Sequence, residues 1–341
     1  MKYDVTIGMP VFQSEAYVRR SLLSALDQSY ASIEFLLIDD CGDDGSMDII
    51  REIQQTHGRG KDIRILRNEG NMGVSASRNR IIDEAQGEYL YFMDSDDAIT
   101  PDAISLLWGM VRASQAEIAF GSYEKTELTG KRTQYQYPHM QLREKGQLAA
   151  FAYRKLGGIQ ASACNYLVKT SVLRTGALRF IASNYWEDLA FTFNLVTIVS
   201  SAVLLPDITY YYYCRENSLS HYQQRTTIPK AEILQSANVI KHLAASSAPL
   251  RRESYFPNRC YVIMLMAFYV ASHILKRRSD ILPAVTDSEI KAVFAHPATL
   301  AQICCFKQKR IQNLLFWGLG KLPSFCCAGI VRLLASIKKV R

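Results

Sequence analysis

The chain predicts an α/β fold: a mostly parallel central sheet flanked by helices, followed by a helical C-terminal region. Three observations lead there. Strand-like and helix-like segments alternate over the first 120 residues, the pattern of strands joined by crossover helices. Apolar runs such as Phe35–Ile38 are continuous rather than alternating, which suits strands covered on both faces. After Thr226 the strand signals disappear.

Taken in order, Val5–Val11 is a β-branched apolar run that reads as the first strand. Glu15–Gln28 follows at helical spacing, with Val18, Leu22, Ala25 and Leu26 on one face and Ser14 as the expected N-cap. Ile33–Ile38 reads as a strand, Met47–Gln55 as a helix, Ile63–Leu66 as a strand and Ser75–Ala85 as a helix. Tyr89–Met93 is a strand, Pro101–Ser114 a helix with proline in its first turn, and Glu117–Phe120 a strand. Beyond Thr226, Ala231–Ala245 reads as a helix, and Gln312–Ile337 carries apolar residues at helical spacing.

With 341 residues, 48% apolar and 21% charged, the chain is neither a disordered polymer, a collagen-like fibre nor a polytopic membrane protein. It is long enough to bury a core without disulfide or metal staples. The N-terminus enters a strand without an apolar h-region or small-residue cleavage site, so a signal peptide is not expected and a cytoplasmic location is. Eight cysteines form no CxxC pair, which predicts free, mostly buried thiols. The net charge of +8 is concentrated. Nine basic and no acidic residues lie from Ile290 to Arg341, leaving 31 basic against 32 acidic before it.

In open sheets of this kind ligands bind at the carboxyl ends of strands, and the unusual residues fall there. Gly8-Met9-Pro10 lies near the end of the first strand, Asp39-Asp40-Cys41-Gly42-Asp43-Asp44-Gly45-Ser46 follows the second, and Asp94-Ser95-Asp96-Asp97 follows Tyr89–Met93. Asp, Gly and Ser are also ordinary turn residues. Two acidic clusters on one sheet edge nevertheless repel unless a cation or hydrogen-bond donors sit among them. Hard carboxylate ligands suit Mg²⁺ or Mn²⁺ together with substrate phosphates. The chain has no GxxxxGK[ST] and no GxGxxG after its first strand, which excludes a P-loop nucleotidase and a nicotinamide dehydrogenase.

Five segments in order resemble the family 2 glycosyltransferases of the GT-A fold: Val5–Phe12, Ser29–Asp40, Asn71–Asn79 with its Arg78-Asn79 pair, Gly87–Asp97 with a DXD-like end, and Trp186-Glu187-Asp188. The resemblance covers about residues 3–225. It implies a GT-A domain over 1–225, with a nucleotide-sugar half (1–122) and an acceptor and catalytic-base half (123–225), and a basic helical region over 226–341. It further implies an inverting, hexosyltransferase-type reaction from a nucleotide-sugar donor, a UDP-sugar, to a saccharide or lipid-linked glycan acceptor, with Mn²⁺ or Mg²⁺ as cofactor, in bacterial surface polysaccharide or lipid-linked glycan synthesis. Position by position, the backbone at Pro10 and Val11 and the Asp40 carboxylate would hold the base. Arg78 would approach the base or the diphosphate. Asp94 would take the ribose, Asp96 and Asp97 the metal, with the direct ligands among the three left open. Asp188 would be the general base, with Glu187 the alternative. Acidic residues also favour a helix N-terminus without catalysing anything. Arg215 would clamp the diphosphate, assisted by His221. Gln13 and Cys41 depart from the family's usual residues.

Two other readings compete: a catalytically silent nucleotide- or glycan-binding protein on the same fold, and a basic peripheral membrane scaffold. The tail is open as well. Cys260–Leu275 is a 16-residue apolar run, to be buried, to touch a membrane or to span it. The last stretch, with Phe316, Trp317, Ile330, Leu333, Leu334 and Ile337, suits an anionic membrane surface at the inner face of the cell membrane, a homodimer interface or a core helix. No nucleic-acid motif accompanies the charge.

Overall fold

The computed structural model describes residues 2–154, 157–215 and 226–337. The chain forms two compact units, Met1–Leu148 with Ala161–Leu219, and Ala149–Gln160 with Ser220–Arg341. The segment Ala149–Gln160 thus groups with the C-terminal residues, an excursion with no counterpart in the sequence reading.

The first unit begins β1 (Tyr3–Val11), α1 (Val18–Leu26), β2 (Ile33–Asp39), α2 (Ser46–Thr56), β3 (Ile63–Arg67), α3 (Val74–Glu84) and β4 (Gly87–Phe92). It continues through β5 (Ala98–Ile99), α4 (Ala103–Ser114), β6 (Ile118–Thr126), β7 (Arg132–Tyr135) and β8 (Met140–Leu142). After α5 (Gln147–Ala152), which leads into the second unit, come β9 (Tyr166–Lys169), α6 (Thr170–Thr175), α7 (Glu187–Ile198) and β10 (Ala202–Tyr213). The sheet runs β3-β2-β1-β4-β9-β6-β10-β5, with β7 on β6 and β8 on β10. β1 to β4 are mutually parallel, as are β6 and β10. β9 enters antiparallel between β4 and β6.

Register explains why the motifs meet. Val11 lies opposite Asp39, and Gly8 opposite Phe92, so β1, β2 and β4 end at one edge. Helix α3 packs directly on β1: a Cβ at Gly8 would sit 2.3 Å from Ile81 Cγ2. Helix α1 starts later than Ser14 alone suggests. The Ser14 carbonyl accepts from Tyr17 and Val18 N–H, while its hydroxyl turns to Phe12 O and Ser95 Oγ. Tertiary bonding has taken the hydroxyl that would otherwise cap the helix.

In the second unit, β11 (Ile228–Pro229) and β12 (Ile281–Leu282) form a short parallel pair. Its helices are α8 (Lys230–Ala245), α9 (Phe256–Lys276), α10 (Asp287–Ala292), α11 (Leu300–Cys304), α12 (Arg310–Lys321) and α13 (Ser324–Ile337). At 21 residues and a mean hydropathy of 1.3, α9 is long and apolar enough to cross a membrane, yet 61% of that window is buried. Neighbours α8, α10, α12 and α13 pack around it. Of the three readings of Cys260–Leu275, the structure has the core helix. Fully buried Arg259 fastens it, donating to Tyr153 Oη (2.5 Å) and Ser247 Oγ (2.8 Å).

The single helix expected over Gln312–Ile337 is two helices. Pro323 has no N–H to donate and holds Leu322 extended (φ −64°, ψ 158°). Its carbonyl instead accepts from Cys327 N–H to start α13.

Candidate active site

The two acidic clusters separate into different kinds of structure. In the Asp39–Ser46 loop the carboxylates are satisfied by the chain itself. Asp40, 2% exposed, accepts from Asn68 Nδ2 (2.7 Å) and Met72 N–H (2.9 Å) on one oxygen and from Gly73 N–H (2.9 Å) on the other. Gly73 has φ +83°, so the left-handed turn that points this N–H at Asp40 favours glycine. Asp39 accepts from Cys41 N–H, and Asp44 from the Glu15 and Ser46 amides; against burial, which raises it, the Ser46 side chain and then these amides hold the Asp44 carboxyl below its ordinary range. Donors rather than a cation resolve the repulsion in this loop. The Asp40 carboxylate expected to hold the base receives three bonds from the chain, and at the end of β1 the Val11 carbonyl accepts from Asp40 N–H (3.0 Å). Pro10, paired with Ile38 in the sheet, is half-buried beside it.

After β4 the situation is different. Carboxylate oxygens of Asp94, Asp96 and Asp97 all lie within 4.8 Å of one another. Asp97, 1% exposed, accepts from Tyr210 Oη (2.7 Å) on one oxygen and from Tyr213 N–H (2.9 Å) on the other, which fastens the turn to β10. Burial and then its neighbours Asp96 and Asp94 push the Asp97 carboxyl well above its ordinary range, and burial and Asp94 push Asp96 upward. Crowded hard oxygens of this kind fit a divalent ion. Asp94 and Asp96 offer the accessible oxygens, being half-buried where Asp97 is buried. Arg215 Nε pairs with Asp96 Oδ2 at 2.6 Å, and its guanidinium lies 5.4 Å from the Tyr17 ring centroid. Arg20 donates to the Asp96 carbonyl and stacks on Tyr213. His221 lies outside the described residues.

Helix α7 delivers the second acidic pair. Trp186 precedes it with φ +63°, an uncommon conformation for a bulky residue, and Glu187 and Asp188 occupy the first turn. Arg78, 4% exposed, bridges the two motifs: Nη1 donates to Glu187 Oε1 (3.0 Å) and Nη2 to Asp94 Oδ1 (2.8 Å). Its neighbour Asn79 exchanges two bonds with the Phe180 backbone (2.9 and 2.8 Å). Both members of the Arg-Asn pair therefore hold the segment leading into α7. Below them Phe92, Phe180 and Phe191 form an aromatic floor, with Phe180 and Phe191 stacked at 3.8 Å. Burial and then Glu187 raise the half-buried Asp188 carboxyl to about 7, against the opposing pull of Arg78.

Sequence reasoning missed Tyr210, Tyr213, Asn68 and Arg20. The run Tyr210–Tyr213 is a signal only in part, because tyrosines are also ordinary residues of a half-buried strand. Gln13 (φ +47°) and Cys41 (φ +60°), noted as departures, are both left-handed, like Trp186. Backbone strain gathers at functional sites.

A mixed sheet with an acidic turn after β4 and an acidic helix start facing it across an arginine belongs to the GT-A class of glycosyltransferase folds. Residues 6–174 match the family described as Glycosyl transferase family 2, and the chain carries a domain of that family. An uncharacterized glycosyltransferase of Haemophilus influenzae is 35% identical over 126 residues, 37% of this chain and 49% of the relative. The succinoglycan biosynthesis protein ExoO of Rhizobium meliloti is 25% identical over 255 residues, 73% of this chain and 68% of ExoO. The chain spans about half or less of the length of the first curated relatives it matches. The structure of S. aureus TarS 1–349 in complex with UDP-GlcNAc superposes with a TM-score of 0.58 at 14% identity, covering 93% of this chain and 90% of TarS 1–349, a likeness of fold.

Proposed function

We propose that the chain is an inverting glycosyltransferase of hexosyltransferase type that moves a sugar from a UDP-sugar to a hydroxyl of a saccharide or lipid-linked glycan. The observation that carries this reading is the Arg78 bridge, which gathers Asp94, Glu187 and Asp188 around one guanidinium. In this reading the donor site and the base meet across that guanidinium. The UDP-GlcNAc bound by TarS supports a uridine donor, and the succinoglycan role in ExoO's name supports surface polysaccharide synthesis.

In this reading the base lies against the backbone of Pro10 and Val11 and the loop that Asp40 fastens. Asp94 and Asp96 would hold Mn²⁺ or Mg²⁺, with Asp97 anchoring their turn, and a bound ion would supply Lewis-acid relief to the departing diphosphate. Arg215 exchanges its partner Asp96 for a diphosphate oxygen. Asp188 takes the acceptor's hydroxyl proton as the acceptor oxygen bonds to the anomeric carbon and the C–O bond to the diphosphate breaks, its electron pair leaving with the phosphate. A single base with no covalent nucleophile gives inversion. Glu187, paired to Arg78, is less free to serve as that base than Asp188.

The test is turnover of UDP-, GDP- and dTDP-sugars with Mn²⁺ or Mg²⁺, scored by nucleoside diphosphate release and by transfer. Metal-dependent turnover of UDP-sugars is expected; binding without turnover would favour the catalytically silent reading. Asp96→Ala is expected to abolish the Mn²⁺-dependent part of UDP affinity in calorimetry while the circular dichroism spectrum is unchanged. Unaltered metal-dependent affinity would remove Asp96 from the metal site.

A further inference from the structure

The second unit carries an interaction surface that sugar transfer does not use. We propose that the outer faces of α12 and α13 dock on an anionic lipid bilayer. Among the described residues thirteen large apolar side chains are exposed, and seven of them fall between Leu300 and Leu334. Ile311 (69%) and Leu315 (70%) lie one turn apart on α12, opposite buried Asn313. On α13, Cys327, Ala328 and Val331 are buried, whereas Phe325 (69%) and Leu333 (61%) face outward, flanked by Ile330 and Leu334. Isolated exposed leucines are unremarkable, but seven apolar side chains in so short a stretch of chain, most of them along the outward faces of two helices, point to an interface.

The structure also corrects which residues would insert. Trp317 packs against the buried cluster of Phe256, Cys260, Ala298 and Ile303, and Phe316 lies against Tyr261. They belong to the packing around α9. The Ile337 side chain lies outside the described residues.

Charge selects the occupant. Lys307, Arg310, Lys321 and Arg332, on these two helices or just before them, are exposed as well, and no acidic residue occurs from Ile290 to Arg341. A second copy meeting this face across a two-fold axis would set the same basic residues against each other, whereas an anionic leaflet attracts them and accepts the aliphatic side chains. Phosphodiester backbones would satisfy the charge but leave Leu315, Phe325 and Leu333 without apolar partners.

Cosedimentation of the full chain with vesicles tests this without reference to activity. Vesicles of phosphatidylcholine mixed with phosphatidylglycerol should bind the protein, and phosphatidylcholine alone should bind far less. Salt should weaken the binding, because the exposed charges are screened. Because Leu315 and Phe325 are exposed, the double variant Leu315→Ser, Phe325→Ser should fold and bind about tenfold or more weakly, a loss of ~1.4 kcal/mol. Equal binding to neutral and anionic vesicles, or a double variant that binds like the parent, overturns the proposal. So does a dimer in sedimentation velocity that the double variant dissolves, since a second copy would then be the occupant.

Discussion

Asp188→Asn is expected to lower sugar transfer by about 10²–10⁴-fold, the usual loss on removing a general base, while affinity for UDP with Mn²⁺ is retained. An acceptor hydroxyl ionises far above neutral pH, so its proton must leave as the new bond forms. The amide matches the carboxylate in size and can accept a hydrogen bond, but it takes no proton at neutral pH. Titration supplies an independent check. Burial and the adjoining Glu187 raise the Asp188 carboxyl to about 7, so below that pH it is protonated and cannot act. The parent's kcat/KM should therefore rise with pH through about 7, and this limb should vanish in Asp188→Asn. If Glu187→Gln abolishes transfer and Asp188→Asn does not, the two roles are exchanged.

Much of the first unit was legible because its signals are local. Strand and helix periods alternate, and the sheet edge collects Asp40, Asp94 and Asp96 simply because parallel strands end on one side. What stayed hidden depended on partners distant in sequence. Nothing near Arg78 indicates that its guanidinium reaches Glu187, 109 residues on. Nothing near Asp40 indicates that its carboxylate receives the amides of Met72 and Gly73, 32 and 33 residues on. β9 has four residues, too few to show a period, so its antiparallel insertion escaped notice. In the second unit the composition of α9 fits a core helix and a membrane span equally, and packing alone decides between them.

Arg78→Met is expected to be the most disruptive single change at the site, destabilising the protein by about 3–5 kcal/mol, as removal of one partner from a buried ion pair does. The methionine keeps much of the aliphatic stem, so packing over Phe180, 5.4 Å from the guanidinium, is largely preserved. What is lost is the cation between Asp94 and Glu187, bonded at 2.8 and 3.0 Å. Those carboxylates and Asp188 would then face one another without a counter-charge. Arg78→Lys keeps the charge, but an ammonium lacks the planar fork that reaches two carboxylates at once, so it should recover part of the stability. Thermal melting measures both variants. The pH profile separates an electrostatic role from a structural one. Arg78 lowers the Asp188 carboxyl against burial and Glu187, so losing the cation must raise it further. The rising limb of kcat/KM should accordingly move to higher pH in Arg78→Met and return toward the parent's position in Arg78→Lys. A variant that melts lower with its limb unmoved would show that Arg78 braces the fold without tuning the base.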